Sequence, residues 1–418
     1  MSSFQQGLSG LNASASNLEV IGNNIANSST YGAKSSRAEF ADMYANALNG
    51  AGSFTIGIGV TLSTVAQQFS QGSINATDNS MDLAINGGGF FQLSDERNPP
   101  MYSRNGQFKV NDDGYIVNND GLKLLGYAAD NQGTIQPGLT VPLRLPTAGI
   151  NPAQTTSIDL EFNLDSRLAT TGTTPATIDF SDADTFNKVH SQTAYDAKGQ
   201  PVALAYYFQK TATDTWNVYA TANGATVAGT EADPQPLTTL TFDSNGMNPT
   251  PSAVALNIPA SVNSAGAETL AISNIDLDFG SSTQNGATFS VTDENQDGYA
   301  PGTLSGIVFE KNGVITARYS NGESKAAGQL ELATFRNMQG LQPVGGNSWL
   351  PTYMSGDPIV GQPASGNLGS LQAGALEESN VDLTGELVNM ITAQRNYQAN
   401  AQTIKTMDQI MQTLVNLR

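Results

Sequence analysis

The chain of 418 residues contains no cysteine and only one histidine, His190. Without cysteine it can form neither disulfide bonds nor metal sites built on thiolates. The sequence also has no G-x-S-x-G turn to present a nucleophilic serine to His190. We therefore interpret His190 as a surface or structural residue, and we predict no catalytic residue, no cofactor and no metal site.

Basic residues and long apolar runs are also scarce. No stretch approaches the roughly 18 apolar residues of a membrane span, and the start, MSSFQQGLSG, lacks the basic and apolar parts of a secretory signal peptide. Lys and Arg number 18 against 37 Asp and Glu, which gives a net charge of −19. Nucleic-acid affinity depends mainly on Lys and Arg. We expect neither membrane insertion nor a nucleic-acid partner.

Three short motifs resemble functional sites but depart from them. The run GGGFFQ at Gly87 lacks the third glycine of a dinucleotide fingerprint, and a tight strand turn is the preferred interpretation. Residues 293–304 begin like a calcium loop, yet Leu304 occupies the position that requires a bidentate Glu. The pair Asp276 and Asp278 fits a solvated strand face. The sequence thus does not indicate an enzyme.

The two ends of the chain carry helical patterns. At the start, apolar residues recur in steps of three and four, the spacing of a coiled-coil seam. This seam comprises Phe4, Leu8, Leu11, Ala15, Leu18, Ile21 and Ile25. The pattern predicts a helix from about Ser2 or Ser3 to Ala26.

The C-terminal pattern is longer. Ser379 and Asp382 favour a helix N-terminus, and neither Gly nor Pro follows Gly385. The apolar positions are Leu387, Met390, Ile391, Tyr397, Ala401, Ile404, Met411, Leu414 and Val415. We predict a helix of roughly 30 residues. Since chain ends fray unless something holds them, this seam should pack against the N-terminal helix.

Between the ends the pattern is that of strands and turns. Hairpin signals occur at Asn86-Gly87, Asn105-Gly106, Asp113-Gly114, Asp120-Gly121 and Asn312-Gly313. A further hairpin is predicted from VALAYYFQK and TWNVYA. A short helix is predicted over Ser36 to Leu48, and residues 351–369 read as a linker. Residues 146–285 are acidic, with 14 Asp and Glu against 4 Lys and Arg, and fit an exposed, repelling surface.

These patterns predict an α+β multidomain fold, in which terminal helices pair as a coiled coil around two nested, mainly β domains. We expect residues 1–70 and 362–418 to form the helical part with its linker segments. Residues 71–145 and 286–361 should form the first β domain, and residues 146–285 an inserted acidic domain. Pairing only two helices would leave apolar surface wet, which is typical of association sites.

At this point the terminal segments resemble a known family. GLSGLNASASNLEVIGNNIANSSTYGAKS and GALEESNVDLTGELVNMITAQRNYQANAQTIKTMDQIMQTLVNLR are similar to the terminal signatures of bacterial flagellar axial proteins, the rod, hook and hook-associated group. SMDLAINGGGFFQL and GQLELATF resemble the body of the group. The resemblance covers roughly the first 145 and last 130 residues well. Because distal rod proteins of the group lack an insertion like residues 146–285, the length is most similar to that of the hook subunit.

The resemblance implies a structural subunit that assembles helically into a hollow, curved and flexible tube, which joins rod to filament and transmits torque. It also implies export by the flagellar type III apparatus to an extracellular position in the hook. The partners would be copies of the same chain, the distal rod protein, the hook cap protein and the hook–filament junction protein. The alternatives are another axial protein, such as a distal rod or hook-associated protein, and a secreted β-rich enzyme or carbohydrate-binding protein.

Read with this resemblance, the poor helix formers in the first helix predict termini that order only when neighbouring copies complete them. Gly22 would permit close approach of helices. The amides of Asn23, Asn24 and Asn27 would either bind neighbouring copies or simply end the helix. The residues assigned to the assembly interface are Phe4, Leu8, Leu11, Leu18, Ile21, Gly22, Asn23, Asn24, Ile25, Asn27, Leu387, Met390, Ile391, Tyr397, Ile404, Met411, Leu414 and Val415.

Overall fold

Two long helices stand at the ends of the chain. The computed structural model describes residues 2–44, 57–130, 133–146, 148–171 and 178–416. Helix α1 is Ser2–Ala26 and helix α2 is Leu383–Asn416, so both predicted helices are confirmed. Asp382 caps α2, because its Oδ1 accepts a hydrogen bond from the backbone N–H of Thr384 at 3.1 Å.

Within the described ranges, the remaining elements are strands and two short 3₁₀ helices, Ala183–Thr185 and Met338–Gly340. The first strands are β1 (Ser36–Tyr44), β2 (Gly57–Gln67), β3 (Ile74–Ala76), β4 (Leu83–Asn86), β5 (Phe90–Ser94), β6 (Met101–Ser103), β7 (Lys109–Val110), β8 (Ile116–Val117), β9 (Lys123–Ala129) and β10 (Ile135–Pro142). The middle strands are β11 (Ser157–Asp165), β12 (Lys188–Tyr195), β13 (Pro201–Ala212), β14 (Thr215–Ala222), β15 (Ala225–Thr226), β16 (Gly229–Thr230), β17 (Asp233–Pro234), β18 (Thr238–Thr241), β19 (Ala253–Ile258), β20 (Ile272–Asp278), β21 (Thr283–Asn285) and β22 (Ser290–Gln296). The last strands are β23 (Leu304–Phe309), β24 (Val314–Tyr319), β25 (Ser324–Leu330), β26 (Leu332–Thr334), β27 (Gln342–Gly345), β28 (Ser348–Leu350), β29 (Ile359–Gly361), β30 (Ser370–Ala373) and β31 (Ala375–Glu377).

The chain divides into two compact units. Unit 1 comprises residues 1–147, 306–318 and 324–418, and unit 2 comprises residues 148–305 and 319–323. Unit 2 is thus inserted into the sequence of unit 1. The structural limits differ from the predicted insertion of 146–285, because β22 pairs with β11 and so belongs to unit 2. The helices flanking a mostly β body confirm the predicted fold class.

In unit 1 the outgoing and returning segments of the chain pair side by side. Strand β3 pairs antiparallel with β31, and β4 with β30. A larger sheet follows the order β23-β24-β25-β9-β5-β6-β28-β27, with β10 beside β9 and β26 between β5 and β29. Its core contains Phe91, Leu93, Ile116, Leu124 and Leu332, all fully buried. These pairings hold the start and end of the chain on one β body.

The helix predicted over Ser36 to Leu48 is wrong. Residues 36–44 form strand β1, which pairs antiparallel with β2 from Ser36 opposite Gln67 onward; residues 45–48 lie outside the described residues. The prediction rested on a face of four apolar residues, a run too short to separate a helix from a strand. The long antiparallel ladder with β2 decides the conformation, since it satisfies the backbone of both segments.

The predicted hairpins divide into two groups. Strands β7–β8, β8–β9, β13–β14 and β23–β24 pair as predicted. The predicted hairpins at Asn86-Gly87 and Asn105-Gly106 are wrong, because the strands on either side of each turn pair with other strands and not with each other. Their glycines serve close backbone approach instead: a Cβ on Gly87 would lie 2.8 Å from Gly369 Cα, and one on Gly106 would collide with the backbone carbonyl of Leu83. The predicted linker 351–369 contains a strand, β29, which pairs with β26.

Unit 2 is a sandwich of two sheets. One follows the order β19-β20-β11-β21, with β22 also on β11, and the other follows β12-β13-β14-β15, with β18 on β14. Alternate side chains of both sheets meet in a single core that includes Phe162, Phe208 and Trp216. His190 lies at the edge of this unit, with its Nε2 3.0 Å from Glu294 Oε2, in a partly exposed position.

Candidate assembly surface of the terminal helices

Helices α1 and α2 run antiparallel and approach closely where α1 carries glycine. A Cβ on Gly7 would lie 3.0 Å from Ile404 Cγ1, and one on Gly10 would lie 3.1 Å from the Asn400 amide. The Asn400 Nδ2 donates a hydrogen bond to Ser14 Oγ at 3.2 Å. Small residues thus allow the two helices to pack tightly, and Gly7 and Gly10 were missed from sequence because glycine interrupts an apolar pattern.

Only one stripe of α2 is covered by this pairing. Most of the less exposed positions of α2 recur at heptad spacing, at Met390, Ala393, Asn400, Ile404 and Met407. Gly385, Glu386 and the predicted Ala401 are also less exposed. Ala393 is buried, although it was absent from the predicted seam. The predicted seam includes Ala401 but not Ala393, because the sequence pattern favours the larger Met390 and Ile391 nearby as seam positions.

A second apolar stripe of α2 faces solvent. This second stripe is short and consists of Leu387, Val388 and Ile391, which are 46%, 58% and 53% exposed. Ile410 and Met411, near the end of the helix, are also exposed, and Met411 continues the heptad spacing of the covered stripe. Tyr397 is at the margin of the covered stripe. The side chains of Leu414 and Val415 lie outside the described part of the structure. The predicted seam therefore contains residues of both stripes.

Helix α1 shows the same division along its length. Ile21 and Asn24 are buried, and Leu11, Leu18 and Ile25 are partly buried. Phe4 and Leu8, near the start, are 43% and 44% exposed. The side chains of α1 are therefore covered by the rest of the chain near its C-terminus, whereas apolar side chains near its N-terminus are exposed to solvent.

Strands β1 and β2 pack against α1 and enlarge the open surface. Gln6 Nε2 donates to the backbone carbonyl of Gly57, and the Val60 N–H donates to Ser9 Oγ at 3.3 Å. Gly59, at φ +142°, leaves the space in which Ser9 lies. The pair of strands exposes further apolar side chains, namely Phe40, Met43, Leu62 and Val65.

The asparagines at the end of α1 act within the chain. Asn24 is buried, its Nδ2 donates to the carbonyl of Ser36 at 2.8 Å, and its Oδ1 accepts from the Ser36 N–H at 2.8 Å. Asn27 Nδ2 donates to the carbonyl of Asn23 at 2.9 Å and so closes the last turn. Asn24 therefore joins α1 to the first residue of β1. Gly22, by contrast, faces open space, with nothing within 4 Å of a Cβ placed there.

A buried charge cluster attaches both terminal segments to the β body of unit 1. Glu377 is fully buried, and its Oε1 lies 2.6 Å from Lys34 Nζ. Its Oε2 lies 3.0 Å from Arg104 Nη1, and Oε1 also accepts from the Gly72 N–H at 3.0 Å. Burial lowers the pKa of both Lys34 and Arg104, and the charge of Glu377 opposes this shift. Three distant parts of the sequence thus meet at one carboxylate.

Asn380 strengthens the same joint between the terminal segments. Its Oδ1 accepts from the Ser35 N–H at 2.7 Å, and its Nδ2 donates to the carbonyl of Gln68 at 2.7 Å. Neither Glu377 nor Asn380 was predicted from sequence, where isolated polar residues carry no spacing signal.

Sites for other chemistry are not apparent in the described residues. Within the described ranges, no group of three or more His, Asp or Glu side chains is arranged to hold a metal ion. The calcium-like segment begins in strand β22, and its Asp297 instead accepts hydrogen bonds from the N–H groups of Thr156 and Ser157 at 2.7 and 3.0 Å.

Among the helices that the structure describes, none is both long and apolar enough to cross a membrane.

Four family models match the chain, in agreement with this architecture. They are the flagella basal body rod protein (residues 4–34), the flagellar hook protein FlgE/F/G D1 domain (84–161), the flagellar basal body protein FlaE D2 domain (163–299) and the flagellar basal body rod FlgEFG protein C-terminal (372–417). The terminal matches cover the two helices, and the central ones cover much of the β body. The matches place the chain in the class of flagellar rod and hook proteins.

Full-length relatives narrow this class. The chain is 42% identical to the flagellar hook protein FlgE of Salmonella typhimurium, with 100% of both chains covered. It is 41% identical to that of Escherichia coli, over 99% of this chain and 100% of the other, and 32% identical to that of Brucella suis, over 99% and 98%. The chain belongs to the flagellar hook protein family.

A solved structure shows a related fold. The crystal structure of Helicobacter pylori flagellar hook protein FlgE2 matches with a TM-score of 0.55 at 15% identity, over 72% of this chain and 100% of that chain.

Proposed function

We propose that this chain is the structural subunit of a flagellar hook and that copies assemble through the open apolar surface of α1, α2, β1 and β2. The observation that carries the proposal is the second apolar stripe of α2, which stays exposed after α1 has covered the first. Apolar patches of this kind usually mark association sites. A neighbouring copy with the same helices would supply the missing partner surface.

The energetic argument concerns the cost of leaving this stripe in water. Burying one Leu, Ile or Met side chain completely contributes about 1.5–3 kcal/mol, and the exposed side chains of α2 are about half-buried already. Several such residues per copy would favour assembly strongly. The isolated ends are weak by comparison, since α1 has neither acidic residues in its first turn nor basic residues in its last.

The remaining parts of the proposal follow from the family. Assembly would give a hollow, flexible tube between rod and filament that transmits torque, without catalytic turnover. The further partners would be the distal rod protein, the hook cap protein, the hook–filament junction protein and the type III export apparatus. The full-length relatives named as hook proteins support this position.

A rod protein is the second candidate, because the family models that match the two termini carry rod names. Electron microscopy of the polymer separates the two. Curved tubes support the hook, whereas straight tubes would favour the rod.

The assembly surface is tested with the double variant Leu387→Ser/Ile391→Ser. The matched control is Gln394→Ser/Gln398→Ser, which changes two exposed residues of the same helix at the same spacing. We expect the parent and the control to form tubes and the apolar variant to stay monomeric in sedimentation and microscopy. Tubes of the apolar variant at the parent's concentration would contradict the assignment.

A further inference from the structure

A turn of unit 1 that lies apart from the terminal helices presents apolar side chains to solvent. In the Tyr353 turn, defined as residues 351–356, Tyr353 is fully exposed and Met354 is 73% exposed. Met338, on the 3₁₀ helix that is hydrogen-bonded to this turn, is also exposed. An exposed Tyr next to an exposed Met is the composition found at the centres of protein interfaces.

The backbone of the Tyr353 turn is held firmly. The Thr352 N–H donates to Ser355 Oγ at 2.9 Å, and the Ser355 N–H donates back to the carbonyl of Thr352 at 3.1 Å. Thr352 Oγ1 donates to the carbonyl of Gly340 at 2.6 Å and accepts from the Met354 N–H at 3.1 Å. A turn fixed in this way loses little entropy when it binds.

Packing beneath the turn depends on a glycine. A Cβ on Gly340 would collide with the backbone nitrogen of Ser355, a residue that is almost completely buried. Asn337 Nδ2 adds a hydrogen bond to the carbonyl of Met354 at 3.0 Å. The 3₁₀ helix and the turn therefore form one rigid support that holds Tyr353 outward.

The same support is connected to the proposed assembly surface. Gln339 Nε2 donates to the carbonyl of Gln67, the last residue of β2, at 2.7 Å. Trp349 Nε1 donates to the side chain of the same Gln67 at 2.6 Å. The exposed side chains of β2 and those of the Tyr353 turn thus lie on connected parts of unit 1.

Charge indicates which partner the turn meets. Residues 337–356 contain no Asp, Glu, Lys or Arg, in a chain whose net charge is −19. Copies of such a chain repel each other except where their surfaces are neutral. A basic partner would instead be drawn to acidic surface. A neutral, apolar turn is therefore suited to a second copy of this chain.

From these observations we propose that the Tyr353 turn is a contact between copies in the polymer and inserts Tyr353 and Met354 into an adjacent copy. This inference rests on the proposed function, since it requires that the chain polymerises. It adds a contact on the β body to those on the helices.

The absence of cysteine from the sequence allows a direct test. In the Tyr353→Cys variant the single thiol is expected to react with a maleimide quickly in the monomer and at least roughly tenfold more slowly in the polymer, because the neighbour covers it. The control is Met247→Cys, at an exposed residue in a hydrogen-bonded turn of unit 2. If polymerisation slows the maleimide reaction of Tyr353→Cys no more than that of Met247→Cys, the proposal is overturned.

A second variant measures the contribution to assembly. We expect Tyr353→Ser/Met354→Ser to raise the lowest concentration that supports polymer by roughly tenfold or more, with an unchanged melting temperature of the monomer. An unchanged concentration would overturn the proposal while the parent's tubes still support the proposed function. A parent chain that forms no polymer would overturn both.

Discussion

Large apolar side chains are buried in the sandwich of unit 2, whereas several of those on the terminal helices remain exposed. In unit 2, Phe162, Phe208 and Trp216 are completely buried, and the Trp216 indole N–H donates to Gln284 Oε1 at 2.7 Å. On α2, Leu387 and Ile391 remain about half exposed after α1 has packed. The core of unit 2 is complete within one chain, whereas the helices leave apolar surface that we propose a second chain covers.

This difference fits the proposed role of a subunit that assembles with copies of itself. The closed β core of unit 2 is buried without a neighbouring chain, and the repulsion between acidic surfaces opposes non-specific association. We propose that the terminal helices are only marginally stable in a single copy and are stabilised when neighbours pack against them. The buried cluster around Glu377 lies within unit 1, where the terminal segments join its β body.

Breaking this joint between the terminal segments and the β body of unit 1 should have the largest effect. We expect Glu377→Gln to lower the free energy of unfolding of the monomer by about 3–5 kcal/mol, because Lys34 and Arg104 would remain buried without their counter-charge. Denaturant unfolding followed by fluorescence measures this change.

The control for this change is the neighbouring Glu378→Gln. Glu378 accepts one exposed hydrogen bond from Asn75 Nδ2 at 2.6 Å, so its loss should cost about 1 kcal/mol or less. Equal effects of the two variants would show that the buried cluster does not hold the joint.

A second buried carboxylate predicts a smaller, pH-dependent effect within the closed part of unit 1. Glu331 is fully buried, and burial raises its pKa above the usual 4.5, although Thr140 and Tyr127 donate hydrogen bonds to it. Burial raises the pKa of Tyr102 to about 12, and the nearby charge of Glu331 contributes to the same shift. Since the folded state holds the proton more tightly, the stability from this group is complete below the unfolded pKa and is lost as pH rises through the folded one.

We therefore expect the parent to lose stability relative to Glu331→Gln as the pH rises above the ordinary carboxyl pKa of 4.5, because only the unfolded state then gives up its proton readily. Denaturant unfolding across a series of pH values measures the difference, and Glu310→Gln, at an exposed position, serves as the control. Parallel curves for the parent and Glu331→Gln would contradict the predicted role of burial.

The smallest effect is expected at Gly22, on the exposed surface of helix α1. Alanine there meets nothing within the chain, so Gly22→Ala should stabilise α1 in the monomer by up to about 1 kcal/mol. If a neighbouring helix packs closely at this position, the same change should weaken assembly. Light scattering at matched concentrations measures this, and unchanged assembly would remove Gly22 from the proposed interface.

Much of the fold could be predicted from sequence where the determining contacts are local. The bounds of α1 and the cap at Asp382 follow from spacing and from capping chemistry. The Asn312-Gly313 hairpin follows from its turn residues, because that turn decides which strands pair.

The wrong predictions fall on segments whose conformation is set by residues that are distant in the sequence. Strand β1 is fixed by β2, and Gly87 by its approach to Gly369, neither of which is visible in a local pattern. The candidate surface shows the same limit. The spacing of α2 identified its apolar residues, but only the packing against Gly7 and Gly10 shows which stripe is covered.

Amide hydrogen exchange of α2, compared between dilute monomer and polymer, tests the central claim most directly. If copies of the chain complete the surface of the helices, the amides of residues 383–416 should exchange rapidly in the monomer and become strongly protected in the polymer, while those of the unit 2 core stay protected in both. Full protection of α2 in the dilute monomer would show that the helices need no neighbour, and would contradict the account.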